Sequence, residues 1–529
     1  MMNEQAIEPR QSGARWPAQN AYGWWILLTA ATALVLFVNP IGFIGGGWDD
    51  WQYLEAARCW RAHGPCLPHD HWQGRWPVIA PLAAITALLG ESRLTVGLAP
   101  LTASVICLVL IAKVGNHLVG RPVGFLAALL FLAVPAFSIQ LLDPMVEATE
   151  LGFCLAGLTA MLNCRDRSGG AWPFVAGLMF GLAFQVRETA AVAILFAAGA
   201  VLVHRRSVRR SQGLAAVAGL VAPLLIEMFV MWMATGDPLW RRRLALAHTQ
   251  IPSSELLGPI DLHHSPLFNP AYIANWRRDP GLHIHWLIDG IANLYVNAKA
   301  SILLGIVPLL LLFYRAVFET RFRRIAWRVY AVALLYMAAL VYALAIDPKA
   351  RMMFLPLSAL ALLLAAMLTR LAEAGRRAIV ATVVLAEAGT GLFILFIHPH
   401  VYPLEPAVAQ WIKSAPGQIE VDENTRRHLA LIPVAEALPA PSGSRPYFLV
   451  KSDANCSVWV VRAEEEARLS LVRHVPMGRG RLLDPRLSAE LCLFRLTGRM
   501  TATELNGATI RAGQNSKAGV ESRRIPAIR

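Results

Sequence analysis

The sequence predicts a mostly α-helical, polytopic membrane bundle with a small C-terminal α/β domain. Three observations predict the bundle. The chain is 56% hydrophobic and only 16% charged, its mean hydropathy is +0.47, and apolar runs of about bilayer length follow one another along it. A soluble domain carries about 25% charged residues. The length of 529 residues would ordinarily imply several soluble domains, but the apolar runs override that prior. The net charge of +14 does not point to nucleic acid. Lys and Arg gather on the cytoplasmic loops of membrane proteins, and no zinc-finger spacing or aromatic–basic strip accompanies them here.

A helical span needs roughly 20 apolar residues. Runs near that length lie at 22–43, 94–112, 122–142, 145–163, 171–186, 189–204, 212–234, 291–314, 327–346, 352–369 and 378–398, giving about eleven spans. The two short runs within 171–204 read as one hairpin with Arg187 and Glu188 at its tip. The first run is too long for a signal peptide and lacks a small-residue cleavage site, so it is read as a retained span. The run at 76–90 is short and contains Pro77 and Pro81, which predicts an interfacial helix in an outer loop.

Charge sets the sidedness. With 76–90 kept outside, the cytoplasmic segments hold Arg10 and Arg15, Lys113 and Arg121, Arg165 and Arg167, RRSVRR (205–210), the Arg315–Arg328 cluster, and Arg370, Arg376 and Arg377. A crossing at 76–90 would invert every later loop and place RRSVRR outside. The N-terminal tail (1–21) is therefore expected inside and the transmembrane domain over 22–398. The outer segments are 44–93, about 235–290, the turn IDPKAR (346–351) and the tail after 398.

Strand-like PYFLV and SVWVV and helix-like PAVAQWIKS predict a periplasmic α/β domain over 399–500. Residues 501–529 are rich in Gly, Ala, Ser and Arg and are expected to be disordered. Cys59 and Cys66 share the first outer loop, and Cys456 and Cys492 share the tail. Such even pairs in an oxidising compartment suggest disulfides. Cys107, Cys154 and Cys164 fall in or beside spans.

Chemistry enters at GGGWDDWQY (45–53), where Asp49 and Asp50 stand at the exit of the first span. One reading is a helix N-terminus, with an acid capping the segment from Trp51 onward and favouring the helix dipole. A functional reading is compatible with it. The pair followed by Tyr53 resembles the D-[DE]-x-x-Y signature of GT-C membrane glycosyltransferases of the family 39 type, which includes protein O-mannosyltransferases and lipid A aminoarabinose transferases. Other stretches fit in order. RWPVIAPLAAITALLGES (75–92) is similar to the family's basic–Pro segment, with Arg75 where the family usually has Lys. The Asp143–Pro144 pair of LLDPMVE lies in a turn where the family often has an acid. FQVRETAA (184–191) resembles its basic–Glu turn, and DPKARMMFLPLSALALLLAA (347–366) its basic pair before a span. The resemblance covers most of residues 20–400.

The resemblance implies transfer of a sugar from a polyprenyl-phosphate donor to a lipid, glycan or protein acceptor. The charge distribution with an outward-facing donor suggests the periplasmic side of a bacterial inner membrane. A single direct displacement with one base would invert the sugar. Such a step needs a base for the acceptor proton and cations for the departing phosphate. Adjacent carboxylates disfavour one another's ionised form, which suits a base. The resemblance assigns the base to Asp49, with Asp50 tuning or orienting it. The candidate phosphate clamps are Arg75, Lys349 and Arg351, all expected at the outer membrane surface, where snorkelling is the alternative reading. Arg187 and Glu188 are either site residues or an ion pair at a hairpin tip. Asp143 is either a site residue or a helix cap, and Tyr53 either packs or touches the acceptor.

No cofactor is expected, and the resemblance implies a metal-independent transferase. HDH (69–71) and the histidines at 263, 264, 283 and 285 match no strong zinc spacing, and Gly45–Gly47 lacks the GK[ST] of a phosphate loop. Glu227 and Glu387 lie within apolar runs, where ionisable groups are expensive and often functional. They support an alternative: a transporter or flippase of a lipid-linked substrate. Against it, the chain lacks internal symmetry, and its polar chemistry gathers on one side.

Overall fold

The structure, a computed structural model, describes residues 21–38, 48–166, 171–203, 210–248, 302–343, 349–397 and 405–415, most of 291–295, and parts of 417–496 that carry a sheet. Each apolar run of the sequence holds a helix. The first is α1 (Ala21–Val38). Two helices of the segment expected outside follow, α2 (Trp48–His63) and α3 (Trp76–Leu89). Then come α4 (Arg93–Leu118), α5 (Arg121–Leu132), α6 (Pro135–Ile139) and α7 (Val146–Asp166). The hairpin is α8 (Ala171–Val186) and α9 (Ala190–Val203), and α10 (Arg210–Thr235) leads into the short α11 (Trp240–His248). The bundle ends with α12 (Leu303–Phe313), α13 (Thr320–Ala338), α14 (Phe354–Glu373) and α15 (Arg377–Ile397).

Five of these segments are long and apolar enough to cross a membrane, and the α5–α6 pair is a sixth, bent by 68°. The bend has a local cause. Pro135 offers no amide to the preceding turn, so the chain breaks after Leu132 and restarts. The helices α1, α8, α9 and α12 are apolar but shorter. At 14 residues α3 is about 21 Å long, one of the shorter apolar helices together with α1, α8, α9 and α12. Ser92 and Thr95 form a capping box that starts α4 immediately after it.

The bundle packs on small residues where helices approach closely. A Cβ on Gly177 of α8 would run into the Ala216 carbonyl of α10, and one on Gly219 of α10 into the Phe174 carbonyl of α8. This glycine-lined approach is how membrane helices gain contact without a solvent-driven force. A second cluster seats the outer segment on the bundle. Trp51, Tyr53 and Leu54 of α2 pack with Ile79 and Leu82 of α3, Val146 of α7 and Val186 of α8. The Cys59–Cys66 disulfide closes the end of α2, and Arg58 and Arg61 both reach Glu91 before α4.

The C-terminal part holds α16 (Glu405–Ser414) and four strands: β1 (Ile419–Val421), β2 (Tyr447–Ser452), β3 (Leu469–Pro476) and β4 (Glu490–Leu496). Their order is β1-β2-β4-β3. β1 runs parallel to β2, while β4 is antiparallel to both β2 and β3. Cys492 on β4 is disulfide-bonded. Cys456, SVWVV, most of the outer segment 235–290, the N-terminal tail, Gly45–Gly47 and residues 501–529 lie outside the described residues.

Gly177→Ala and Gly219→Ala are each expected to lower stability in detergent by about 1–3 kcal/mol through overpacking. Gly213→Ala, where a Cβ meets nothing, is expected to be neutral or stabilising. Thermal unfolding of the three variants checks this.

Candidate active site

The acidic pair lies inside a helix and not at its cap. α2 begins at Trp48, one residue before the pair, so Asp49 and Asp50 occupy its first turn, where acids suit the helix dipole. The two diverge at once, because adjacent helical residues point about 100° apart. Asp50 is buried, and its Oδ1 accepts from the Trp51 amide at 2.9 Å. Asp49 remains partly exposed and faces Arg351, with Oδ2 3.8 Å from Nη2. The Asp49 side chain is 28% exposed at this contact.

Arg351 stands in a 3-10 turn (Ala350–Met353) just before α14. Its Nε lies 3.5 Å from Oε1 of Glu147, in the first turn of α7. Arg187, from the turn between α8 and α9, meets the same oxygen at 3.5 Å. Four distant pieces of chain therefore meet at one end of the bundle: α2, the Asp143 turn with the start of α7, the hairpin tip and the 350–353 turn. Lys349 is exposed at the start of that last turn.

Arg75 differs from its expected place on the outer surface. It is buried, its Nη1 donates to the Tyr53 hydroxyl, and its guanidinium lies 5.8 Å from the centroid of the Tyr53 ring. The cause is its position directly before α3, which packs against α2 through the apolar faces of both. Burial pushes the Tyr53 hydroxyl above its ordinary value. Arg75 opposes the rise and Asp49 and Glu147 add to it, so Tyr53 stays a neutral phenol able both to give and to accept a hydrogen bond.

Arg187 and Glu188 do not pair with each other. Arg187 pairs with Glu147, while Glu188 lies 3.7 Å from Nη2 of Arg241 on α11. Arg241 also donates to Oε1 of Glu227 at 2.9 Å, to the Gln185 side chain, and to the Gln185 carbonyl at 2.6 Å. Glu227 is thus the counter-ion of a neighbouring helix, which removes one support from the transporter reading. The Arg241 stem lies against Gly74, so a side chain there would crowd it.

Asp143 is buried in the turn before α7, and its Oδ1 has no hydrogen-bond partner among the described residues. Burial raises its carboxyl well above the ordinary value. Asp50 and Glu147 add to the rise, and Arg351 opposes it. Among the described residues, no group of three or more His, Cys, Asp or Glu side chains is placed to hold a metal ion. The histidines at 263, 264, 283 and 285 lie outside those residues.

Glu147 and Arg241 are the site residues that sequence reasoning missed. An acid in the first turn of a helix reads as dipole compensation, and nothing distinguishes the first arginine of WRRRL (240–244) from its neighbours.

Comparison with known proteins bears on the fold and the family resemblance. Residues 77–232 match the family model described as dolichyl-phosphate-mannose-protein mannosyltransferase. The oligosaccharyltransferase of Archaeoglobus fulgidus in its apo form superposes with a TM-score of 0.50 at 12% identity, covering 84% of this chain and 71% of that one. The chain has the GT-C fold. ArnT from Cupriavidus metallidurans bound to undecaprenyl phosphate is also similar, with 14% identity over 89% of this chain and 98% of that one, at a TM-score of 0.35. No curated relative matches the sequence. The GT-C fold makes this a multi-pass membrane protein, and the matched family is one of glycosyl-transferring enzymes. The matched stretch contains Asp143, Glu147, Arg187 and Glu188, and leaves Asp49, Arg75 and Arg351 outside it.

An acid whose value is raised on folding takes up a proton in the folded state. Its favourable contribution is complete below the unfolded value and is lost as pH rises through the folded one. Asp143→Asn mimics the protonated form, so the variant is expected to match or exceed the wild type in thermal stability at neutral pH. Its stability should also fall less steeply above about pH 4. Melting curves across pH 4–8 in detergent check this, and a less stable Asn variant at neutral pH would contradict it.

Proposed function

We propose that the protein transfers a sugar from a polyprenyl-phosphate donor to a hydroxyl acceptor in a single inverting displacement, with Asp49 as general base. The observation that carries this reading is the partly exposed Asp49 carboxylate facing Arg351 at 3.8 Å. A base and a guanidinium meet at the accessible edge of a GT-C fold, as proton removal beside a departing phosphate requires. The family matched over 77–232 supports a polyprenyl-phosphate sugar as the donor.

In this step the acceptor oxygen attacks the anomeric carbon as Asp49 takes its proton. The bond from that carbon to the phosphate oxygen breaks, and the phosphate leaves with the electron pair. Arg351 receives it, its planar fork matching two phosphate oxygens. Lys349 lies two residues away and adds charge. Arg75, whose Nε is buried with no hydrogen-bond partner among the described residues, adds a donor from within. An entering phosphate competes with Asp49 for Arg351, so donor binding loosens the base from its cation when it is needed. Asp50 and Tyr53 hold the first turns of α2 in place.

The cations are the protein's own, so the reading is metal-independent and takes no cofactor. The acceptor is a lipid, a glycan or a protein. The site faces the periplasm from a bacterial inner membrane, a placement supported by the distribution of Lys and Arg along the sequence. The chain divides into a cytoplasmic tail (1–21), the membrane domain (22–398), a periplasmic domain (399–500) and a terminal tail.

Asp49→Asn is expected to lower transfer by at least about a hundredfold. Asp49 is a first-turn residue with one long, partly exposed ion pair, so stability should change by less than about 1 kcal/mol. Purified wild type and variant are incubated with radiolabelled polyprenyl-phosphate sugars in envelope extract, and label in new acceptors is counted. Equal transfer by both proteins would refute the base assignment. No transfer by folded wild type from any donor would refute the transferase reading.

A further inference from the structure

Glu147 has no part in the step above, yet two arginines of the site converge on it. Its carboxylate is 3% exposed. Both contacts use one oxygen, Oε1, at 3.5 Å from Arg187 Nη1 and 3.5 Å from Arg351 Nε. The other oxygen, Oε2, is buried with no hydrogen-bond partner among the described residues. A buried carboxylate retained for stability alone generally has both oxygens satisfied, because an orphaned acceptor is costly. This one tolerates the cost while orienting groups that belong to the site.

The geometry explains what the orientation achieves. A guanidinium is a rigid plane, so a partner on one edge fixes the direction of the other. Arg351 Nε lies 3.5 Å from Glu147 Oε1, an ion-pair contact without a hydrogen bond, and Nη2 of the same plane faces Asp49 at 3.8 Å. Arg187 approaches the same oxygen at 3.5 Å, so the two guanidinium groups share it.

We propose that Glu147 is a positioning residue. Through one oxygen it holds Arg187 and Arg351, and so sets the orientation in which Arg351 meets Asp49 and an incoming phosphate. The identity of that phosphate rests on the transferase reading above, whereas the positioning rests on the geometry.

The test uses full-length wild type, Glu147→Gln, Arg351→Gln and the double variant, each purified in detergent. Thermal unfolding supplies one double-mutant cycle, and transfer from a labelled polyprenyl-phosphate sugar supplies a second. Each single substitution is expected to lower kcat by about tenfold or more. The double variant should be no slower than the worse single, its melting shift should be less than the sum of the two, and Glu147→Asp should recover part of the rate. Additive effects in both cycles would overturn the proposal. So would a Glu147→Gln protein that melts lower yet keeps its kcat per folded molecule, because that is a structural role only. If wild type transfers from no donor, the transferase reading falls and the melting cycle alone decides. Coupling between Glu147 and Arg351 then sustains the positioning, and additivity overturns it.

Discussion

A carboxylate buried at the end of a helical bundle must have cations brought to it, and in this chain Glu147 imposes that requirement. Withdrawing an ion from water costs several kcal/mol unless partners replace the solvent. Arg187 and Arg351 supply them from the hairpin tip and from the turn before α14. Arg351 then reaches Asp49 on α2. One electrostatic requirement thereby brings α7, the α8–α9 turn, the 350–353 turn and the first outer segment into register. The apolar helices alone could slide past one another at little cost, since lipid is as apolar as their surfaces.

The outer segment is prepared for that register by its own constraints. The Cys59–Cys66 disulfide and the Arg58 and Arg61 contacts to Glu91 fix α2 against the start of α4. Tyr53, one helical turn beyond Asp49, is held by Arg75 from beneath. On the far side, Trp240 donates to the Pro68 carbonyl while the Arg241 stem covers Gly74. The loop between α2 and α3 is therefore held at both ends and in its middle. Groups held this way enter a reaction already oriented, which spares the reorganisation that water would demand.

The charges also separate by depth. Asp50, Asp143 and Arg75 are buried, while Asp49, Arg351 and Lys349 reach solvent. The exposed members are the ones to which the proposed reaction assigns substrate contact. The division follows from helix geometry: Asp49 and Asp50 are neighbours in sequence but leave α2 in directions about 100° apart, so one turns inward and the other outward.

Much of this was legible in the sequence. Hydropathy located the apolar helices of the bundle, since the bilayer acts on each segment independently and a run of apolar residues is a local property, whereas the charged α11 lies in a stretch read as a loop. The shortness of the Trp76–Leu89 run set it apart from the longer runs, and the spacing of Asp49, Asp50 and Tyr53 drew attention to the candidate site. Strands β3 and β4 lie outside the strand-like stretches of the sequence, and their pairing carries a register shift between Leu471 and Arg473. What the sequence by itself determined was thus the helical architecture and the identity of the acidic pair. Only the tertiary structure decided that Arg75 is buried against Tyr53, that Glu227 serves Arg241, and that Glu147 binds Arg187 and Arg351. These are pairings between residues far apart in the chain. Which charge finds which partner depends on distances that only helix packing sets, and no local pattern of residues records them.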